Sequence, residues 1–187
     1  PKQGVLFWDI TTLLKDKKAM NYVIKKFVNE YKDKGINKIV GIESRGFIFG
    51  SILAYKLRVP FVPVRKPGKL PAATTKVEYE LEYGKDALEI HNDAISEGDK
   101  VLIVDDLLAT GGTSKAAAEL VEKLNGRVEG FAFVINLPEL KPSVVAVILN
   151  WTLVKSTSSS SDWLIFKLSS ETFWVPTLSK AKTKFSR

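Results

Sequence analysis

The sequence contains no cysteine and a single histidine, His91. The first absence excludes disulfides, thiolate metal sites and cysteine nucleophiles, and the second excludes His-rich zinc sites and argues against an ordinary His-based triad. His91 itself, in Leu88-Glu-Ile-His91, reads as a structural or solvated residue. Also missing is any run near the roughly eighteen consecutive apolar residues of a membrane span. Although 45% of the 187 residues are hydrophobic, they are dispersed, so the chain reads as soluble with no membrane partner. Pro1-Lys-Gln-Gly4 opens without a charged-then-apolar leader, which makes a cytoplasmic location the expectation. No Gly-x-x-x-x-Gly-Lys-Ser/Thr occurs, which removes the Walker A route to phosphate binding. Of the net charge of +7, residues 151–187 supply +4, with five Lys and one Arg against Asp162 and Glu171. The rest is only mildly basic. No helix clusters Arg and no aromatic RNA-binding signature is present, so nucleic acid is not an expected partner.

What is present is organised around Val101-Leu-Ile-Val-Asp-Asp-Leu-Leu-Ala-Thr-Gly-Gly-Thr113. Val101 to Val104 are too few for a helix and apolar enough for a strand buried on both faces. Asp105 and Asp106 then stand at its carboxyl end. In the following loop, Ala109, Thr110, Gly111, Gly112 and Thr113, the glycines can expose successive N–H groups as a nest for an anion. A helix capped by Thr113 or Ser114 follows, with Ala116, Ala117, Leu120, Val121 and Leu124 on one face, and its amino end adds free N–H groups. Phosphate suits the nest. Two carboxylates would repel a bare phosphate but can accept from ribose hydroxyls, so a sugar phosphate suits both halves.

Elsewhere the chain alternates strands and helices. Gly4 to Ile10 reads as a short extended stretch. A helix capped by Asp16 carries Met20, Val23, Ile24, Phe27, Val28 and Tyr31 on one face and ends at Gly35. Lys38 to Ile42 is a strand, Glu43-Ser-Arg-Gly46 a turn, and Phe47 to Leu57 a helix apolar enough to be buried on most sides. Phe61 to Val64 is a strand, followed by the basic turn Arg65-Lys-Pro-Gly-Lys-Leu-Pro71. From Lys76 the period becomes two, with Val77, Tyr79, Leu81 and Tyr83 alternating with Glu78, Glu80 and Glu82. Gly84-Lys-Asp86 turns this ribbon back into Ala87 to His91, a hairpin that alone is marginally stable and therefore mobile. Gly130 to Asn136 is a buried strand. The implied fold is α/β, a mostly parallel twisted sheet flanked by helices, with its site at the strands' carboxyl ends. After Lys141 the character changes: Val144 to Leu149 reads as a strand, Ser156 to Ser161 is low-complexity, Trp163 to Leu168 reads as a closing strand, and the end beyond Pro176 reads as mobile and basic.

The stretch from Val101 to Thr113 resembles the phosphoribosyl-pyrophosphate (PRPP) signature of type I phosphoribosyltransferases. Gly41-Ile-Glu-Ser-Arg-Gly-Phe47, the basic turn and Leu81-Glu-Tyr-Gly-Lys85, in that order, look like the adenine-specific branch of that family, from about Gly4 to Leu140. The resemblance implies one domain over 1–187, with a family-like core at 4–140, an atypical segment at 141–187, a small hood and a flexible β-hairpin lid. It implies transfer of the 5-phosphoribosyl group from PRPP to adenine, giving AMP and pyrophosphate, with Mg²⁺ carried by PRPP and pyrophosphate rather than by protein ligands, in a homodimer. Residue by residue, it assigns Ala109 to Thr113 to the 5-phosphate and Asp105 and Asp106 to the ribose. It assigns Glu43, Ser44, Arg45, Arg65, Lys66 and Lys69 to pyrophosphate, with an unusual peptide geometry in the loop at 43–45. Leu6 and Phe7 would hold adenine, Glu82 would be the catalytic acid/base and Tyr83 part of the lid. Trp8 departs from the Arg or Lys usual in the family. Three alternatives stay open from the residues alone: Glu82 as one of a solvated Glu78, Glu80, Glu82 face, a transferase for hypoxanthine, xanthine or orotate, and a non-catalytic PRPP-sensing regulator of the same fold.

Overall fold

The computed structural model describes residues 10–81 and 84–136, and further on the backbone of 147–148, 152–155, 163–167 and 172–176. Contacts divide the chain into two compact units, one of residues 23–149 and the other of residues 1–22 with 150–187.

In the larger unit, five parallel strands form one sheet, in the order β2 (Phe61–Val64), β1 (Lys38–Ile42), β5 (Lys100–Leu108), β6 (Arg127–Asn136) and β7 (Val147–Ile148). Val101, Leu102, Ile103 and Val104 are fully buried, as a strand with neighbours on both sides and cover on both faces requires. The strand does not end at the acids, however. Pairing with β6 continues through Asp105 with Phe133, Leu107 with Ile135 and Leu108 with Asn136. Both acids are therefore strand residues, set by the sheet rather than by a loop.

α3 (Gly46–Leu57) follows β1, and only one of its faces is buried, through Gly46, Phe49, Gly50, Leu53 and Ala54. The expectation of burial on most sides is corrected here, since Tyr55 is 79% exposed. α4 (Gly112–Lys123) buries Ala116, Ala117, Leu120 and Val121, the stripe read from the sequence. Its cap differs: Gly111, at φ 86°, precedes the helix, with no side-chain cap hydrogen bond. That left-handed angle suits glycine, and it leaves the Thr113 side chain for other partners. α2 (Lys17–Tyr31) starts as read, because Asp16 Oδ1 accepts from the N–H groups of Lys18 and Ala19 at 2.7 and 3.1 Å. Val23, Ile24, Phe27 and Tyr31 are buried, whereas Met20 and Val28 are only partly so. The Tyr31 hydroxyl donates to the Phe131 carbonyl at 3.0 Å, fastening the helix to β6.

The hairpin pairs β3 (Thr74–Leu81) with β4 (Gly84–His91), and the last pair is Leu81 with Gly84. Gly84-Lys-Asp86 is therefore strand rather than turn. The hairpin's base is packed into the core, because Val77, Leu88 and Ile90 are buried in one cluster with Val64, Val101, Ala117 and Leu120. Each of the larger side chains contributes about 1.5–3 kcal/mol by that burial. A pair of backbone hydrogen bonds between Arg65 and Glu89, at 3.0 and 2.7 Å, ties β4 to the end of β2.

In the other unit, α1 is a single turn (Thr11–Lys15), and β8 (Thr152–Lys155), β9 (Trp163–Lys167) and β10 (Thr172–Pro176) form an antiparallel sheet with β9 in the middle. The segment from Trp163 thus does not close the parallel sheet. The readings of Gly4 to Ile10 as extended, apart from Ile10 itself, and of the end beyond Pro176 as mobile lie outside the described residues.

Candidate active site

At the carboxyl ends of β1, β2 and β5 lies a pocket of about 270 Å³. Its wall takes Ile42, Glu43, Ser44 and Arg45 from β1 and the turn after it, Lys66 from the turn after β2, Asp105 and Asp106 from β5, and Thr113 from the first turn of α4. Tyr79, Asp86 and Leu88 from the hairpin complete it. Seven residues named from the sequence thus meet in one concavity, although 70 positions separate Glu43 from Thr113. Arg65 and Lys69 are bound to Glu43, and Ala109, Thr110 and Gly111 lead into α4, which Gly112 begins. Leu6, Phe7, Glu82 and Tyr83 lie outside the described residues.

Parallel pairing sets the acids beside the turn at 43–46. Gly46 packs flush on them: a Cβ there would stand 2.6 Å from the Val104 carbonyl oxygen and 3.1 Å from the Asp105 carboxylate. Backbone cannot yield as a side-chain end does. Gly46→Ala is therefore expected to cost about 1–3 kcal/mol of stability by overpacking and to weaken binding of an anionic ligand in the adjoining pocket, checked by thermal melting and titration. A fully stable variant with unchanged affinity would show that this packing is dispensable. The Glu43–Ser44 peptide is cis, in the loop where the resemblance implies unusual geometry.

Glu43 is the organiser of the basic turn. Its Oε1 accepts from Arg65 Nη2 at 3.0 Å and Lys69 Nζ at 2.8 Å, and its Oε2 from the Lys66 backbone N–H at 3.0 Å. Burial pushes its pKa up, but these donors outweigh burial and hold the carboxyl at about 2. A carboxylate so engaged binds no anion itself; it arranges the cations that can. Lys66 reaches across to the hairpin, with Nζ 2.7 Å from Asp86 Oδ2.

The Asp105–Asp106 pair is different. Asp106 is buried, with Oδ2 3.1 Å from Arg45 Nε. Asp105 Oδ1 accepts from the Asp106 N–H at 2.8 Å, and the two carboxyls share a side-chain hydrogen bond that favours the proton on Asp105. Burial, and then the charge of Asp106, raise Asp105 well above the usual carboxylate range, and burial raises Asp106 despite Arg45. Two adjacent acids in a dry site cannot both ionise freely, so a ligand that donates hydrogen bonds there is strongly rewarded.

Two residue groups were invisible to sequence reasoning. Tyr79 reads as one residue of an alternating strand and Asp86 as a turn, but the register sets them opposite each other, and both line the pocket. Among the described residues, no three His, Cys, Asp or Glu are grouped to hold a metal ion, and no helix is long and apolar enough to cross a membrane.

The model of the phosphoribosyl transferase domain family matches residues 10–156, past the stretch that the motifs cover. The adenine phosphoribosyltransferase of Vibrio campbellii is 62% identical over 140 residues, which are 75% of this chain and 77% of that protein. Among solved structures, the adenine phosphoribosyltransferase of Thermoanaerobacter pseudethanolicus is similar with a TM-score of 0.74 and 52% identity, covering 79% of this chain and 90% of the other. That of Saccharomyces cerevisiae, complexed with an imino-altritol bisphosphate and adenine, gives 0.73 and 42%, covering 79% and 88%. A strand of two acids running into a glycine nest, a cationic turn and these relatives agree: the chain belongs to the phosphoribosyltransferase domain family and, within it, to the adenine phosphoribosyltransferases.

Proposed function

We propose that this chain transfers the 5-phosphoribosyl group of PRPP to adenine, releasing AMP and pyrophosphate, and so salvages purines. The observation that carries the reading is the pocket itself, where paired acids, a helix amino end and partnered cations converge. Asp105 and Asp106 accept from the ribose 2- and 3-hydroxyls. The loop Ala109 to Thr113 binds the 5-phosphate through backbone N–H groups, with the amino end of α4 behind it. Ser44, Arg45, Lys66, and Arg65 and Lys69 as arranged by Glu43, face the pyrophosphate end.

In the reaction, the bond from ribose C1 to the pyrophosphate oxygen breaks ahead of the new C–N bond. Negative charge grows on pyrophosphate, where Arg45 and Lys66 stabilise it, and positive charge grows on the sugar near Asp105 and Asp106. Adenine, stacked on Phe7 and read by the Leu6 backbone, attacks through a ring nitrogen and gives up a proton to Glu82. Asp105 and Asp106 are given to the ribose hydroxyls, and Mg²⁺ would come in on PRPP and leave on pyrophosphate rather than be held by side chains. When bound, Mg²⁺ neutralises charge on the departing pyrophosphate oxygens. We assign the protein to the cytoplasm as a homodimer, in which the hairpin tip acts as a lid. The relatives favour adenine over the other bases, and the catalytic role over a PRPP sensor. Incubation with adenine, PRPP and Mg²⁺ tests the reading: AMP and pyrophosphate should appear in equal amounts, and their absence would overturn it.

Two further results are expected at the ribose acids. Asp105→Asn with Asp106→Asn should raise the PRPP KM strongly and the adenine KM little, since each charge-assisted bond lost is worth roughly 1.5–3 kcal/mol. The fold should survive. The raised pKa of each acid makes its ionised form a burden on the folded state that grows as pH rises above 3.8 toward the shifted value. Removing both charges should therefore lift Tm at neutral pH more than at pH near the unshifted value. Unchanged PRPP affinity would take these acids out of the ribose site.

The second concerns protons. Hydroxyl donors favour the ionised carboxylates and so lower their pKa values, which means that PRPP binding should release protons and tighten as pH rises through the free-site values. Calorimetry in buffers of different ionisation enthalpy measures this; net uptake, or no exchange at any pH below neutral, would contradict it.

A further inference from the structure

A chain of contacts on the hairpin crosses the pocket. Lys66 Nζ lies 2.7 Å from Asp86 Oδ2, the Tyr79 hydroxyl donates to the same oxygen at 3.4 Å, and Tyr79 shares a hydrogen bond with the Thr113 side chain. Asp86 Oδ1 accepts from the Ala87 N–H at 2.8 Å, so both carboxylate oxygens are held. The strand that carries Asp86 is anchored by fully buried Leu88 and Ile90. By contrast, 54% of the Lys66 side chain is exposed. An ion pair with so exposed a lysine adds little to folding stability. What it does is select one rotamer of a long side chain, and an ammonium with three donors can keep Asp86 while offering the others to phosphate oxygens.

We propose that Asp86 is a positioning residue that holds the Lys66 ammonium at the pyrophosphate end of the pocket and, through Tyr79, links it to Thr113 at the 5-phosphate end. The inference rests on the reading of Lys66 as a pyrophosphate ligand. Asp86 touches no substrate atom in this scheme. Its worth is the ordering of a flexible side chain before the ligand arrives, so that the ligand does not have to supply it.

A double-mutant cycle on the full chain tests this, with the affinities of Mg²⁺–PRPP, Mg²⁺–pyrophosphate and AMP measured by calorimetry. Asp86→Asn should weaken PRPP and pyrophosphate by about 3- to 10-fold, the cost of ordering one such side chain, and leave AMP, which lacks the pyrophosphate, within about twofold. In a Lys66→Met background the same change should add nothing. Equal losses in both backgrounds, an equal loss for AMP, or unchanged or tighter PRPP binding in Asp86→Asn would overturn the proposal. If Lys66→Met alone leaves PRPP and pyrophosphate affinity unchanged, the reading of Lys66 fails first and this proposal with it. Tyr79→Phe provides a second arm should Asp86→Asn not fold: it should weaken PRPP, which meets both ends of the relay, more than AMP, which meets only the Thr113 end, and an equal loss for the two or no loss for PRPP would overturn the relay.

Discussion

Glu82→Gln is expected to lower kcat by about two to four orders of magnitude while PRPP affinity persists, the usual worth of a positioned acid/base. Adenine must lose a proton as its ring nitrogen bonds to C1, and no histidine other than His91 is available in the chain. His91 stands at the far end of β4, paired with Thr74 at the base of the hairpin. Its pairing puts it at the opposite end of the ribbon from the connection between Leu81 and Gly84. Asp105 and Asp106 are proposed for the ribose, and Glu43 is held by three donors of the basic turn. It is the family resemblance that assigns the proton to Glu82, a residue outside the described ones. Glu78 and Glu80, on the same alternating set, are exposed, so Glu80→Gln should be nearly silent. Single-turnover rates for the two variants separate the readings: equal, small effects would mean a solvated acidic face and no proton transfer by Glu82.

The parallel sheet is legible in the sequence because its strands are largely buried and so appear as short, uninterrupted apolar runs at 39–42, 101–104 and 131–135. Those runs say little about where a strand stops. Asp105 and Asp106 look like a strand end, yet the neighbouring β6 carries the pairing on to Asn136 and takes the acids with it. Composition also says nothing about which side of an apolar helix is covered, and α3 shows one buried face where its residues suggest several. Gly84 looks like a turn glycine, and only the register, which depends on which strand residues meet the core, shows it to be a strand residue. The site divides in the same way. Contiguous motifs announce the paired acids, the glycine nest and the basic turn. The grip of Glu43 on Arg65 and Lys69, and of Asp86 on Lys66, joins residues 20 or more positions apart, and nothing local encodes such pairings.

Adenine recognition is the claim on which the account turns. Around Phe7 stand Val5, Leu6 and Trp8, with no Asn, Gln, Asp or Glu nearer than Gln3 and Asp9, so main-chain groups of Leu6 are assigned to read the base. A carbonyl can accept from adenine's exocyclic amine, and the neighbouring N–H can donate to its bare ring nitrogen. Hypoxanthine offers an oxygen to the carbonyl and a protonated nitrogen to the N–H, so both contacts turn into mismatches that leave buried polar groups unpaired. Sites of this kind discriminate by about 10⁴–10⁵. Leu6→Val should preserve the ratio, since it alters packing and keeps the reading groups. The decisive measurement is kcat/KM for adenine, hypoxanthine and guanine with saturating PRPP and Mg²⁺, on the unmodified chain and on Leu6→Val. The account predicts adenine ahead by about four orders of magnitude or more on both; similar values for adenine and hypoxanthine would contradict it.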